Sequence, residues 1–362
     1  MASLPSLYAL PSEAPPVSTN ECQFIYKALA SNLRVDGRKP MKMRRVKIKF
    51  LRKSGAVEVS IGKTRVLAAT TADIVKPWPD RPSEGFLRIH TDFSPMASPF
   101  FENNRPSSRS IQLSRMVEKG IRESNAVDTE SLCILSGSKV WEIRLDVRVI
   151  DDDGNIGDCA SLAAVASLMH FRRPDVTVVG ERVTVHSVEA RQPIGLALHH
   201  IPIMITFAVF PVGGGGDKKA VESAGKAGGS SNSGSDVHVV IDPSRKETSV
   251  AQGEISFTVN KHKEICAIHK SGGIPLRPSK ILKYANAAIV QAQKLTAQES
   301  VYTNPAAAFV ENISRVTQEE ETDVGGESAA AANDEMKDEL GGADEKQAAE
   351  TPTEKGTTST DK

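Results

Sequence analysis

Between Val140 and Ile150 apolar residues (Val140, Ile143, Leu145, Val147, Val149) alternate with polar ones (Glu142, Arg144, Asp146, Arg148), the period-two pattern of a strand with one buried face. Asp151-Asp152-Asp153-Gly154 breaks the pattern. From Asp158 to His170 the chain is built of Ala, Ser, Leu, Val and Met. Ala160, Ala163, Ala164 and Ala166 leave so little side chain that a helix here can lie very close to a sheet. The stretch therefore predicts strand, acidic turn and buried helix. Backbone N–H groups at such a helix start point at whatever lies above it, a natural seat for phosphate in a nucleic-acid enzyme.

The pattern elsewhere divides the chain. Ser18 and Glu21 have capping-box spacing ahead of Cys22, Phe24, Ile25, Ala28 and Leu29, which predicts a short docking helix. Val46–Asp73 reads as a β-meander with turns at Ser54-Gly55 and Gly62-Lys63, and Phe86–Phe93 as a strand inside a proline-rich excursion. Ser110–Ser124 has near-helical apolar spacing, with Arg115 and Arg122 seven residues apart on one face. Strands are expected over 176–188, 201–210, 237–241, 255–259 and 264–268. Pro278-Ser279 then opens a helix with Ile281, Leu282, Ala285, Ile289, Ala292 and Leu295 on one side. Residues 1–17, with four prolines, read as a flexible leader, Gly213–Ser235 as a flexible insertion, and the chain beyond Gln318 as a disordered tail.

Charge changes this picture. The 362 residues sum to zero, but Gln318–Lys362 holds fourteen Asp or Glu against four Lys, a net of −10, so residues 1–317 carry +10. A basic body permits contact with polyanions. Four scattered cysteines suggest neither a disulfide framework nor a zinc site, and point to a reducing compartment, cytosol or nucleus. No run of eighteen apolar residues suggests a membrane span, and the start of the chain does not read as a secretory signal.

Several chemistries drop out. The acids of Asp151–Gly154 lack the alternate spacing of a calcium loop, and Ala160 stands where its bidentate Glu is required. Walker, Gly-x-Ser-x-Gly and His-Glu-x-x-His motifs are absent. His199-His200 reads as structural, and Trp78 and Trp141 as packing or interface residues. Arg105, Arg109, Arg115 and Arg122 could clamp a phosphate backbone, or form a solvated face with ion pairs to Glu118 and Glu123.

Six segments, RVDGR (34–38), DTESLC (128–133), KVWEIRLDVRVIDDDGNIGD (139–158), HFRRPDV (170–176), NKHKEIC (260–266) and SGG (271–273), resemble the RNase PH-fold ring subunits of the eukaryotic RNA exosome. The resemblance spans about residues 20–300. It implies an α/β (α+β) fold with a βαβα core of the ribosomal-protein-S5 domain-2 type, followed by a C-terminal RNase PH subdomain. The expected division is a leader (1–17), a first domain with its docking helix (18–210), the insertion (211–236), a second domain (237–305) and the acidic tail (306–362).

In active relatives the turn before the central helix carries an arginine that helps hold phosphate, and two aspartates six residues apart serve acid or metal roles. Here the turn reads Gly154-Asn155-Ile156-Gly157, without arginine. Asp242 is followed six residues on by Thr248, and Glu254 alone could substitute nearby. Without the anchoring cation the main electrostatic contribution to phosphorolysis is missing. The resemblance therefore implies a non-catalytic subunit with no cofactor or metal, in a hetero-hexameric ring of RNase PH-like paralogues beneath S1/KH-type cap proteins. Single-stranded RNA would pass towards a separate processive nuclease, in nucleus, nucleolus and cytoplasm. Arg105, Arg109, Arg115 and Arg122 are the candidates for lining its path, Arg109 and Arg115 foremost. The competing expectations are an active phosphate-dependent 3′-to-5′ exoribonuclease and a free RNA-binding adaptor.

Overall fold

The structure, a computed structural model, describes residues 17–99, 101, 107–187, 190–211 and 237–296. The expected leader, insertion and acidic tail, and Arg105, fall outside these residues. The described residues belong to one compact unit.

Helix α1 (Thr19–Ala30) starts at the Ser18/Glu21 capping box. Strands β1 (Val46–Phe50), β2 (Ala56–Ile61) and β3 (Thr64–Val75) form the expected antiparallel meander. β4 (Phe86–Phe93), β5 (Cys133–Leu135) and β6 (Lys139–Asp151) complete a six-stranded sheet in which β6 pairs antiparallel with β3 and parallel with β4. Between β4 and β5 runs α2 (Ser108–Glu118), whose third N–H group, at Ser110, is capped by the Ser107 hydroxyl at 3.1 Å.

After β6 comes α3 (Ile156–His170), then β7 (Arg172–Arg173), the hairpin β8 (Val176–Val179) and β9 (Arg182–Val185), and β10 (Ile194–Gly195). β11 (Ile203–Pro211), β12 (Val237–Ile241), β13 (Gly253–Val259) and β14 (Ile265–Ser271) form a second antiparallel sheet in the order β12-β11-β13-β14. The expected boundary at residue 210 runs through this sheet. β11 and β12 are the two arms around the insertion and pair Phe207 with Ile241 through Pro211 with Val237, so β11 takes its hydrogen bonds from the later part of the chain. A long helix, Pro278–Thr296, covers β11 and β13.

Every residue of α3 from Asp158 to Met169 is buried. It packs on β2 and β3 of the first sheet and on β11 of the second, and the apolar side chains of both sheets merge around it into one core. This explains why its sequence is apolar all round instead of amphipathic. Leu162, Val165 and Leu168, each at most 3% exposed, stabilise the junction by about 1.5–3 kcal/mol apiece. Ser167 is accommodated because its hydroxyl reaches Gly55 O and Thr70 Oγ1, both at 2.6 Å. Among the described residues no helix is long and apolar enough to cross a membrane.

Ala163, fully buried in α3, leaves no room for a larger side chain. Ala163→Leu should lower the free energy of unfolding by roughly 1–3 kcal/mol, read as a reduced urea midpoint at unchanged slope.

Candidate functional site

The turn ahead of α3 is held by two left-handed residues, Gly154 at φ +85° and Asn155 at φ +53°. Only glycine fits the first. A Cβ there would lie 2.4 Å from Arg245 N and 2.5 Å from Ser244 C, so the turn is pressed directly against the backbone after β12. Asn155 tolerates the left-handed region at modest cost. Its side chain is buried, and its Nδ2 donates to Asp158 Oδ2 at 2.8 Å and to Asp242 Oδ1 at 2.7 Å. Of the two residues standing where an anchoring arginine is expected, Asn155 therefore binds two carboxylates of its own chain and Ile156 is buried in the core.

Asp242 is the centre of a buried cluster. Besides Asn155 it accepts from Arg38 Nη1 at 2.9 Å, from Arg44 N at 2.8 Å, and from Arg44 Nε and Nη2, each at 2.9 Å. The Arg44 fork grips both carboxylate oxygens, the strong bidentate geometry. Its remaining donors reach Asp153 O and Gly154 O, each at 3.0 Å, so one guanidinium fixes the acidic turn to the second sheet. Burial pushes the Asp242 carboxyl up, but Arg44 and Arg38 outweigh it and hold the group below the usual carboxylate range. Arg34 makes a second tie. Its guanidinium pairs with Glu247, both side chains fully buried, and donates at 2.9 Å to the carbonyls of Ile241 and Asp242.

Asp158, in the first turn of α3, is also fully buried and accepts from Thr206 Oγ1 at 2.6 Å, Thr206 N at 3.0 Å and Asn155. A carboxylate in this position is favoured by the positive end of the helix. Burial dominates nevertheless, with Asp242 adding to it against the Thr206 and Asn155 hydrogen bonds, and the carboxyl is pushed up to about 7.

A cleft of about 300 Å³ opens beside the turn, lined by Arg109, Asn155, Ile156, Gly157, Thr248 and Glu254, among others. Of the candidate arginines among the described residues, Arg109, Arg115 and Arg122, the structure brings Arg109 to the turn. Its Nη1 lies 3.8 Å from Asp152 Oδ2, whose side chain is 2% exposed. Burial raises the Glu254 carboxyl, with Arg109 opposing. His269, which also lines the cleft, is lowered first by burial and then by Lys119. Among the described residues Arg109 is thus opposed by Asp152 beside it and by Glu254 in the lining, with a histidine that burial disfavours as a cation, a poor seat for an anion.

Arg115 is exposed on α2, without an ion pair among the described residues. Arg122 does not share its α-helical face, because the chain widens into a π-turn at Lys119–Glu123. Its Nη1 pairs with Glu118 Oε1 at 2.7 Å, the solvated ion-pair arrangement that the sequence also allowed. Trp141 is buried; Trp78, 62% exposed, packs its ring 5.8 Å from Phe86. His200 Nε2 lies 3.2 Å from Ser124 Oγ.

Pattern reading missed the part played by Arg34, Arg38, Arg44, Asp158 and Thr206. It also missed the short helix Arg245–Val250, although Ser244 and Glu247 carry the capping-box spacing and do form the box.

Asp242→Asn turns a donor towards Arg44 and leaves buried cations without their counter-ion; it should cost about 3–5 kcal/mol in a denaturant titration. Asp158 behaves in the opposite sense to Asp242. With its folded pKa above its unfolded one it binds more protons folded than unfolded, so it removes stability as pH rises from about 4 towards 7. The Asp158 carboxyl ¹³C resonance should show its inflection near pH 7, and an inflection below pH 5 would refute this.

Residues 42–174 match the 3′ exoribonuclease family domain 1, and residues 223–291 its domain 2, the two RNase PH domains. The chain is 42% identical over 271 residues to "Exosome complex component rrp45" of Schizosaccharomyces pombe, covering 75% of this chain and 85% of that protein. It is 38% identical over 281 residues to "Exosome complex component RRP45" of Homo sapiens, covering 78% of this chain but 59% of the longer relative. Among solved structures, an Archaeoglobus fulgidus exosome with RNA bound to the active site aligns at a TM-score of 0.61 and 30% identity, over 76% of this chain and 96% of that one. An archaeal exosome core aligns at 0.58 and 28% identity, over 76% and 94%. With both domains matched and identities near 40% over three quarters of its length, the chain belongs to the RNase PH family of 3′ exoribonuclease folds.

Proposed function

We propose that this chain is a non-catalytic ring subunit of the exosome core, supporting 3′-to-5′ RNA processing and degradation without performing the cleavage. The relatives named as exosome components and the likeness to archaeal exosome chains support ring membership. The observation that carries the non-catalytic reading is the occupation of the turn. Asn155 and Ile156 stand where a phosphate-holding arginine is expected; the donor of Asn155 is spent on Asp242 and Asp158, and Ile156 is buried in the core. Phosphorolysis requires inorganic phosphate to be held against its own charge and that of RNA. The cleft answers with Arg109 already beside Asp152 and Glu254, and Asp242, the first of the two acid positions, is turned into a buried cluster of arginines.

The contribution to RNA is then electrostatic and independent of sequence, through arginines at the start and outer face of α2. Arg109 and Arg115 are the leading residues. Arg105 remains a candidate from sequence, whereas the ion pair to Glu118 weakens the case for Arg122. The partners on this reading are RNase PH-like paralogues in a hetero-hexameric ring, S1/KH-type cap proteins, a separate processive nuclease and single-stranded RNA. The sites of action are nucleus, nucleolus and cytoplasm. The leader, insertion and tail given above are carried forward as part of this proposal, with β11 assigned to the second domain whose sheet it completes.

Affinity purification of the chain should bring down a stoichiometric ring; recovery of the chain alone would reject the reading. In the reconstituted ring, Arg109→Glu with Arg115→Glu should weaken protection of a single-stranded RNA by roughly tenfold or more, since each reversal replaces a phosphate contact by a repulsion. Protection equal to wild type would remove these two residues from the path. The active-enzyme reading keeps one foothold, Glu254 in the cleft. It requires phosphate-dependent release of nucleoside diphosphates that disappears in Glu254→Gln while any catalytic partner is disabled.

A further inference from the structure

A second concavity, about 380 Å³, lies away from the cleft between α1 and the short helix Arg245–Val250, lined chiefly by Val17, Phe24, Ile25, Val35, Arg245 and Lys246. Its floor is part of a small hydrophobic cluster with Ile25, Tyr26, Leu29 and Val250. Its walls are open. Phe24 is 63% and Val35 44% exposed, a large apolar outlay beside residues that are nearly fully buried. Val17 lines this groove and packs on the same cluster, so the sequence N-terminal to it is tethered at the groove.

The sequence that must leave by this route is MASLPSLYALPSEAPP. Leu4, Leu7 and Leu10 recur every three residues, and Glu13 continues the series; Pro5, Pro11, Pro15 and Pro16 fix φ along it. Three residues is one turn of a polyproline II helix, so these side chains share one edge, spaced about 9 Å apart. Such helices dock in grooves that offer an aromatic side chain, with little ordering entropy left to lose. The rim is complementary as well. Lys246 reaches only the exposed Glu21, at 3.8 Å, and is available to Glu13. Reach is sufficient, because seven residues from Val17 back to Leu10 span about 22 Å in this conformation, whereas α1 advances only about 12 Å from Val17 to Ile25.

We propose that residues 4–13 dock as a polyproline II strand in this groove, with Leu7 and Leu10 on Phe24 and Val35 and Glu13 at Lys246. The groove is thereby an intramolecular binding site for the chain's own leader, which covers an apolar surface otherwise open to solvent. Tethering at Val17 favours this occupant over a free peptide, since the leader is present at an effective concentration in the millimolar range.

Chymotrypsin cleavage after Tyr8 in the full chain tests the proposal. Three proteins are compared, wild type, Leu7→Ser/Leu10→Ser in the leader and Phe24→Ser in the groove. Synthetic peptides of residues 1–16 with and without the leader substitutions correct for intrinsic cleavage rates. The leader variant leaves the described core untouched, so it reports even where Phe24→Ser impairs folding, which circular dichroism checks. Docking predicts wild-type cleavage about tenfold slower than in either variant, because proteolysis follows the population of the open form. Equal corrected rates in all three overturn the proposal. So does protection that arises only when ring partners are added, since that outcome gives the groove to a partner segment.

Discussion

The fold turns on the carboxylate of Asp242. Five donors from Arg38, Arg44 and Asn155 converge on it in a fully buried setting, and each belongs to a different part of the chain from the second sheet that carries it. A buried charge in such a place is costly unless every lone pair is engaged. Here the engagement itself does the assembling. Arg44, leading into β1, reaches at once to Asp242 after β12 and to the carbonyls of Asp153 and Gly154 after β6. Hydrophobic contact around α3 brings the two sheets together, while the directional hydrogen bonds of this cluster set their register. The φ of +48° at Asp242 fits that role, for a carboxylate is one of the few side chains that tolerates the left-handed region.

The same cluster governs the chemistry of the turn. A helix start with left-handed residues ahead of it is a ready anion site, and in this chain the anions are internal. Asp158 sits in the first turn of α3, and Asp242 is joined to it through the one amide of Asn155. An external phosphate would have to compete with carboxylates that are covalently present and already desolvated, and among the described residues the arginine at the rim, Arg109, is shared with Asp152. The donors of the turn are engaged by the scaffold itself, which is the electrostatic basis of the non-catalytic reading proposed above.

Much of the architecture was legible from period alone. The meander over β1–β3, the strand Phe86–Phe93, the long strand β6 and the helix opened by Pro278 all follow from alternation or from helical spacing, because each buries a single face or stripe against one core. The buried helix α3 was legible for the opposite reason, a run too apolar and too small to be amphipathic. The cluster around Asp242 was not legible, since its partners are about 200 residues apart in sequence and a charged residue in a loop carries no local mark of burial. The seven-residue spacing of Arg115 and Arg122 crosses a π-turn at Lys119–Glu123, so α-helical period counting does not carry from one to the other. The missing arginine in the turn was visible in the sequence; what replaced its ligand required coordinates.

On the reading proposed above, a subunit whose turn holds no external anion is well suited to a path along which RNA would move. Conduction requires contacts favourable enough to admit the polymer and weak enough to release it. A seat that held one phosphate through a buried arginine and a helix terminus would arrest the strand at every nucleotide. Arg115 on the outer face of α2 and Arg109 half-covered at the cleft offer instead single, screened, exchangeable contacts whose strength falls with salt. On that reading, engaging the turn with Asp158 and Asp242 and leaving Arg109 and Arg115 accessible act together. The first would leave no trap, and the second would supply positive charge that guides the strand without reading it.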